Sequence, residues 1–113
     1  SLKNVSEEQL TNVIIAYEPV WAIDNKYLNP GIEIKPATPP QAKEAHEIVR
    51  TWFKENYSEK AAQEIQIQYG GSMKAANCED LLKIADIDGG LIGGASLSAE
   101  KLIPIIKSAI RLS

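Results

Sequence analysis

Glu18 stands where an apolar, β-rich run, Val13-Ile14-Ile15-Ala16-Tyr17, meets Pro19. A parallel strand buried on both faces reads as a continuous Val/Ile run, and a proline, lacking an amide donor, ends such a strand. The C-terminal tip of a parallel strand is where α/β folds collect their chemistry. Glu18 is therefore a candidate working residue, the other reading being a strand-end carboxylate satisfied by backbone amides.

Two further strand-like runs end in paired glycines followed by a small hydroxyl residue: Gly70-Gly71-Ser72 and Gly93-Gly94-Ala95-Ser96. Glycine lets backbone amides approach a ligand with no Cβ in the way, and consecutive amides at a helix start make an anion site. One Gly-Gly is ordinarily a tight turn. Two of them after neighbouring strands, with Glu18 ending a third, point to a phosphate held beside a carboxylate.

Other chemistry-bearing residues read as structural. His46 lies mid-helix near Ala45 and Val49 and fits a solvated or packed residue better than a catalytic one. Cys78 at a helix start could have a lowered pKa, but a lone thiol among capping residues is more often inert. Trp52 and Phe53 are core by their spacing. No His/Cys/Asp cluster has metal-ligand spacing, so no metal is expected.

The elements that must position these groups follow in order. Residues 1–12 are a polar connector in which Ser6-Glu7-Glu8-Gln9 resembles a helix N-cap and first turn. After the Glu18 strand, residues 20–40 form a long irregular stretch punctuated by Pro30, Pro36, Pro39 and Pro40. A loop of that length is often a lid or binding element, or else a surface insertion. Thr38 then caps a helix with prolines in its first turn, whose Ala42, Ala45, Ile48, Val49, Trp52 and Phe53 share one apolar face through about Tyr57. A short helix over residues 59–64 precedes a strand over 65–69. Asn77 caps a helix from Cys78 to about Ile84 with Leu81 and Leu82 inward. Residues 89–92 read as a short strand, and Ser98 opens a last helix with Leu102, Ile103, Ile106 and Ile110 inward and Pro104 near its first turn.

Strand then helix, three times over, predicts an α/β fold with parallel strands and helical crossovers. Helices can cover both faces of such a sheet, but its two edges stay open.

Across 113 residues, 44% apolar and 24% charged content is that of an ordinary globular domain, which excludes disordered and collagen-like classes. A net charge of -3 with pI near 5.2 and no local Lys/Arg cluster argues against a nucleic-acid partner. One cysteine cannot form an internal disulfide, so a reducing compartment is expected. No apolar run approaches the roughly 20 residues of a membrane span, and no signal segment opens the chain. A cytoplasmic location follows by elimination. The chain starts at Ser1 with Met73 as its only methionine, as expected of a processed or excerpted product.

The motifs AYEPVWAI, QYGGSMKAANC, DIDGGLIGGASL and KLIPIIKSAI together resemble the C-terminal part of triosephosphate isomerase, a (β/α)8 barrel family, across nearly the whole chain. The resemblance implies one partial barrel unit: strand six, lid loop and helix over residues 13–57, strand seven and helix over 58–84, strand eight and the last helix over 85–113. It implies that Glu18 moves a proton between two carbons of a triose phosphate, interconverting dihydroxyacetone phosphate and glyceraldehyde 3-phosphate without a cofactor. Pro19, Val20 and Trp21 would be the first hinge of the lid. Tyr69 and Ser72 would hold the closed lid, with Ala37 at the second hinge. Ser72, Gly93 and Gly94, with Gly71, would bind the substrate phosphate.

Two departures accompany the resemblance. The family's N-terminal asparagine, lysine and electrophilic histidine have no counterpart in this sequence, and a base without an electrophile lacks the larger electrostatic contribution. The chain alone is thus expected to be inactive, its partners being an N-terminal barrel half and, in the complete protein, a second copy in a homodimer. Where the family has a short Gly-Thr-Gly-Lys tip after Trp-Ala-Ile, residues 24–35 form a longer stretch that begins with Asp24. A carboxylate beside phosphate is repulsive, and Pro36 removes a torsion from the second hinge. The alternatives are a non-catalytic phosphate-binding half barrel and an engineered or split barrel with a rebuilt loop.

Overall fold

A computed structural model describes residues 2–20 and 36–113. Trp21 and the lengthened stretch over residues 24–35 lie outside them.

Three parallel strands form one sheet in the order β1-β2-β3: β1 is Ile14–Tyr17, β2 is Gln66–Tyr69 and β3 is Gly89–Gly90. The helices are α1 (Pro39–Asn56), α2 (Glu59–Glu64), α3 (Cys78–Leu82) and α4 (Ala99–Leu112), with 3-10 turns at Glu8–Asn12 and Gly94–Leu97. The expected strand-helix alternation and parallel pairing are present.

Local chemistry explains where these elements begin. Thr38 Oγ1 accepts from the Gln41 amide while the Gln41 side chain accepts from the Thr38 amide, closing a capping box. Pro39 and Pro40 follow in the first turn, where no amide is needed. Ser58 caps α2 through the Ala61 amide, and Ser6 and Gln9 exchange the same reciprocal pair before the first 3-10 turn. Asn77 departs from expectation. It precedes α3 but makes no side-chain cap; its Oδ1 accepts from the Lys74 amide at 2.7 Å and its Nδ2 donates to the Ser72 carbonyl at 3.0 Å.

The helices cover one sheet face. Ile67 and Tyr69 of β2 are fully buried, Gln66 is exposed and Gln68 half-buried. Their alternation reflects a sheet with one dry side. Ile14 is 56% exposed, so the Val13-Ile14-Ile15 run is not buried on both faces as its composition suggested. The core divides into two clusters: Phe53, Ala61, Ile65 and Ile67 with Leu10, and Tyr69, Met73, Cys78, Leu81, Ile87 and Ile105 with Ala37 and Ala42. Burying side chains as large as Phe53, Ile67 and Leu81 contributes about 1.5–3 kcal/mol each.

Two apolar faces differ from the sequence reading. On α1 the buried stripe is Ala42, His46 and Phe53, flanked by half-buried Val49, while Ile48 and Trp52 are exposed. The stripe is rotated because His46 and Arg50 occupy inward positions. Trp52 is therefore not core, although Phe53 is; its ring meets Phe53 edge-on at 5.1 Å. On α4 the inward residues are Ile105 and Ser108, with Leu102 half-buried and Ile103, Ile106 and Ile110 exposed. Pro104 lies in the second turn rather than the first.

Arg50, unremarked by its sequence position, joins three elements. Its Nη1 donates to the carbonyls of Ala62 (2.7 Å) and Ile65 (3.0 Å), and its Nη2 donates to the Asp86 carbonyl (2.9 Å) and Asp88 Oδ2 (2.8 Å). Asp88 Oδ2 also accepts from the Ile67 amide at 2.9 Å. This fork fixes the entry ends of β2 and β3 to α1.

Candidate active site

Register decides which groups can meet. Tyr17 pairs with Tyr69, and Tyr69 with Gly90, so these three residues form one row across the sheet. The next residue of β1 is Glu18, and the next of β2 is Gly70, which opens the first paired-glycine loop. Beyond β3, the Leu91 amide bonds the Tyr69 carbonyl at 2.9 Å and the chain runs on to Gly93 and Gly94. The parallel arrangement thus gathers the three sequence features at the C-terminal end of the sheet.

Glu18 is exposed at that end, and Gly70 shapes the space around it. The Gly70 amide donates to the Tyr17 carbonyl at 2.8 Å. A β-carbon at Gly70 would lie 2.5 Å from Glu18 Cγ and 3.0 Å from the Tyr17 oxygen. Only glycine lets the glutamate lie there undisturbed. Gly90 works similarly for Met73, whose Sδ would stand 2.7 Å from an added β-carbon. The sequence pattern placed Gly70 at a strand end as part of a phosphate-binding loop; its close approach to Glu18 depends on strand pairing and was not visible there.

The paired-glycine loops offer main-chain donors. Gly71 is buried, Ser72 half-buried, and Gly93 and Gly94 are exposed with open space where a β-carbon would stand. Among the described residues, the amides of Gly71, Ser72, Gly93 and Gly94 meet no internal acceptor. Buried amides are almost always paired, so the unpaired amide of buried Gly71 is open to an external acceptor, while the exposed amides of Gly93 and Gly94 are open to solvent or a ligand. Asn77 ties down Ser72 by its carbonyl. The amide and hydroxyl of Ser96 both donate to the Gly93 carbonyl, at 2.9 and 2.6 Å. Both loops are thus held from within.

Of the expected hinge residues, Pro19 is buried and Val20 is 55% exposed. The main-chain N–H of Ala37 donates to Tyr69 Oη at 3.2 Å, across 32 residues of sequence. Both residues are buried, at 4% and 0% exposure. Burial pushes the Tyr69 phenol above its ordinary pKa of 10, and the Ala37 hydrogen bond opposes this.

Beneath this bond lies His46, fully buried, with neither ring nitrogen hydrogen-bonded among the described residues. Its ring meets Tyr17 edge-on at 6.0 Å and Tyr69 at a tilt at 6.4 Å. Burial is the largest influence and lowers its pKa below 6.5; the nearby Asp86 main-chain carbonyl opposes it, Arg50 acts with burial, and the carboxylates of Asp86 and Asp88 oppose it. Of the two structural expectations for His46, solvated or packed, the structure shows the packed one. Cys78 is likewise buried, with Sγ 3.6 Å from the Ala75 carbonyl. Among the described residues no three His, Cys, Asp or Glu side chains are grouped to hold a metal ion, and no helix is long and apolar enough to cross a membrane.

An exposed carboxylate beside unpaired amides can move a proton on a substrate anchored by an anionic group. Comparison with known proteins bears on which substrate that would be. A family model described as triosephosphate isomerase matches residues 1–109. A triosephosphate isomerase of Chloroherpeton thalassium is 50% identical over 108 residues, which cover 96% of this chain and 40% of that protein. One from Entamoeba histolytica is 51% identical over 104 residues, 92% of this chain and 37% of that protein. Another, from Dictyostelium discoideum, is 47% identical over 103 residues, 91% and 37% respectively. The chain therefore spans well under half the length of the curated relatives it matches.

Proposed function

The chain belongs to the triosephosphate isomerase family, and on that premise we propose that it supplies the base and the phosphate site for interconverting dihydroxyacetone phosphate and glyceraldehyde 3-phosphate. The observation that supports this reading is that Glu18 and the loops bearing the Ser72, Gly93 and Gly94 amides, which meet no internal acceptor among the described residues, all follow the C-terminal ends of the three parallel strands.

In this reading the amides, with Gly71, receive the substrate phosphate, anchoring the triose so that one of its carbon-bound protons faces Glu18. The carboxylate takes that proton from one carbon and returns it to the neighbour, so it ends as it began and no cofactor is consumed. In the family's complete enzymes a glutamate base works beside a neutral electrophilic histidine. That histidine has no counterpart in this chain, so the carbonyl must be polarised by groups from the remainder of the family's barrel. The proposed partners are that remainder and, for a complete barrel, a second copy in a homodimer, in the glycolytic setting of the cytoplasm.

The Ala37–Tyr69 bond supports a role for Ala37 as the second hinge of a lid whose first hinge is Pro19, Val20 and Trp21. The lid would carry the lengthened residues 24–35. A closing lid excludes water and strengthens the electrostatics around the base.

Turnover tests the proposal. The 113-residue chain alone is expected to show no isomerase activity, and mixing it with a segment corresponding to the N-terminal portion of a relative is expected to generate some. In that mixture Glu18→Gln should cut turnover by about 10²–10⁴-fold, the range of general-base contributions. Turnover by the chain alone, or a mixture indifferent to Glu18→Gln, would reject it.

A further inference from the structure

His46 is the only histidine of the chain, and the proton transfer proposed for Glu18 does not use it. A fully buried imidazole with neither nitrogen in a close hydrogen bond among the described residues is costly to keep. Its surroundings indicate what it does there. One face of the ring meets Tyr17, the residue before Glu18, and another meets Tyr69, the acceptor of the Ala37 hydrogen bond. The ring is carried by α1, and Ala37 lies two residues before the first residue of that helix. One side chain therefore touches the strand that bears the base, the phenol that holds Ala37, and the helix that follows Ala37.

We propose that His46 is a positioning residue for this site: its neutral ring is wedged between Tyr17 and Tyr69, holding Tyr69 Oη at the Ala37 amide, and uptake of a proton releases that bond. The inference rests on the reading of Ala37 as a lid hinge.

The physics concerns what a proton would meet. From β1 and β2 the ring faces the phenols of Tyr17 and Tyr69. From its own helix it faces Arg50, and from the α3–β3 connection Asp86 and Asp88. The two carboxylates are already engaged by the Arg50 guanidinium, at 3.5 Å and 2.8 Å, so they offer little to an imidazolium. The Asp86 main-chain carbonyl can take one N–H, but the second N–H of an imidazolium and its full charge would be buried with no further partner among the described residues, which folded proteins avoid by moving the group to water. Moving His46 outward draws α1 away from the two tyrosines, and through Thr38 it draws the Ala37 amide from Tyr69 Oη. Because the site's base lies one residue beyond Tyr17, the same displacement loosens the packing behind Glu18.

The test follows the Ala37 amide by hydrogen exchange in the 113-residue chain, expressed as protection relative to the unstructured rate, between about pH 7.5 and pH 5. The His46 ring is followed in parallel by its nitrogen chemical shifts. Ala37 protection should fall at least about tenfold with the midpoint at which the ring titrates, a drop typical of a local opening. His46→Phe, an aromatic wedge that takes up no proton, should keep Ala37 protected across the range. His46→Ala should leave it unprotected at both ends. Protection that stays constant while the ring titrates overturns the proposal, as do a ring that stays neutral to pH 5 with the bond intact and a His46→Phe chain that loses protection as the parent does. If His46→Phe does not fold, the parent chain decides alone: a shared midpoint supports the coupling and separate midpoints overturn it. A parallel titration with inorganic phosphate at pH 7.5 keeps the functional reading distinct. Ser72, Gly93 and Gly94 amides that ignore phosphate while Ala37 responds to His46 would reject the phosphate site and leave the coupling standing.

Discussion

Glu18 occupies the space that a side chain at Gly70 would need: a β-carbon there would come within 2.5 Å of Glu18 Cγ. The two residues end adjacent parallel strands and are tied by the 2.8 Å bond from the Gly70 amide to the Tyr17 carbonyl. The position of the carboxylate is therefore set by an absent side chain on the next strand.

Gly70→Ala should displace Glu18 while leaving the phosphate loops in place. In an assembled isomerase containing this chain, turnover should fall by about 10²-fold, as expected when a reacting group shifts by roughly an ångström. Phosphate affinity should hold. Steady-state kinetics with a phosphate competition assay reads both, and unchanged turnover would show that Glu18 does not depend on the gap.

Tyr69→Phe removes the acceptor of the buried Ala37 amide. The loss should be about 1–3 kcal/mol, the cost of leaving a buried donor unpaired. Urea titration should show a lower midpoint with the slope unchanged. A midpoint equal to that of the parent would mean that the 3.2 Å contact contributes nothing.

Two buried groups make stability depend on pH at opposite ends. His46 has a folded pKa below its unfolded 6.5, so as pH falls the unfolded chain binds its proton before the folded one does. Stability is thus complete above about 6.5 and declines as pH falls below it. Tyr69 has a folded pKa above 10, so in alkali the unfolded chain releases a proton that the folded one keeps. Stability declines as pH rises beyond 10. Urea midpoints measured across pH should show both limbs, with His46→Phe flattening the acid limb and Tyr69→Phe the alkaline one. A limb that survives its own substitution would assign it to other groups.

Arg50→Ala should be the most destabilising of these changes, by about 3 kcal/mol, because it abandons partly buried acceptors that were paired with a charge. Arg50→Lys should recover little of this, since one ammonium cannot reproduce a planar fork directed at four acceptors. Thermal unfolding of both variants checks the order, and full recovery by lysine would contradict the geometric argument.

Elements with local chemical signals were legible in the sequence. Thr38 with Gln41 and two prolines announced α1, and Ile65 to Tyr69 announced β2 almost to the residue. The site's end of the sheet was legible because strand ends and paired glycines are themselves local. What the sequence concealed depends on which side of a helix faces inward. Ile48, Trp52, Ile103, Ile106 and Ile110 are apolar yet exposed among the described residues, while polar His46, Ser108 and much of Arg50 point inward. Periodicity cannot separate these two flanks when both are available. Asn77 misled in another way: an Asn before a helix fits a cap, but a nearby carbonyl at Ser72 and amide at Lys74 competed for its side chain. The Glu18–Gly70 contact depends on strand register, which no single segment encodes.

The C-terminal end of this sheet is proposed to bind the phosphate of a triose beside Glu18. The most direct test of this is an NMR titration of the folded chain with glycerol 3-phosphate, following the amides of Ser72, Gly93 and Gly94. These three signals are predicted to move together and saturably, while amides at the Arg50 end of the sheet stay still. Three signals that remain unmoved in a folded sample would contradict the account.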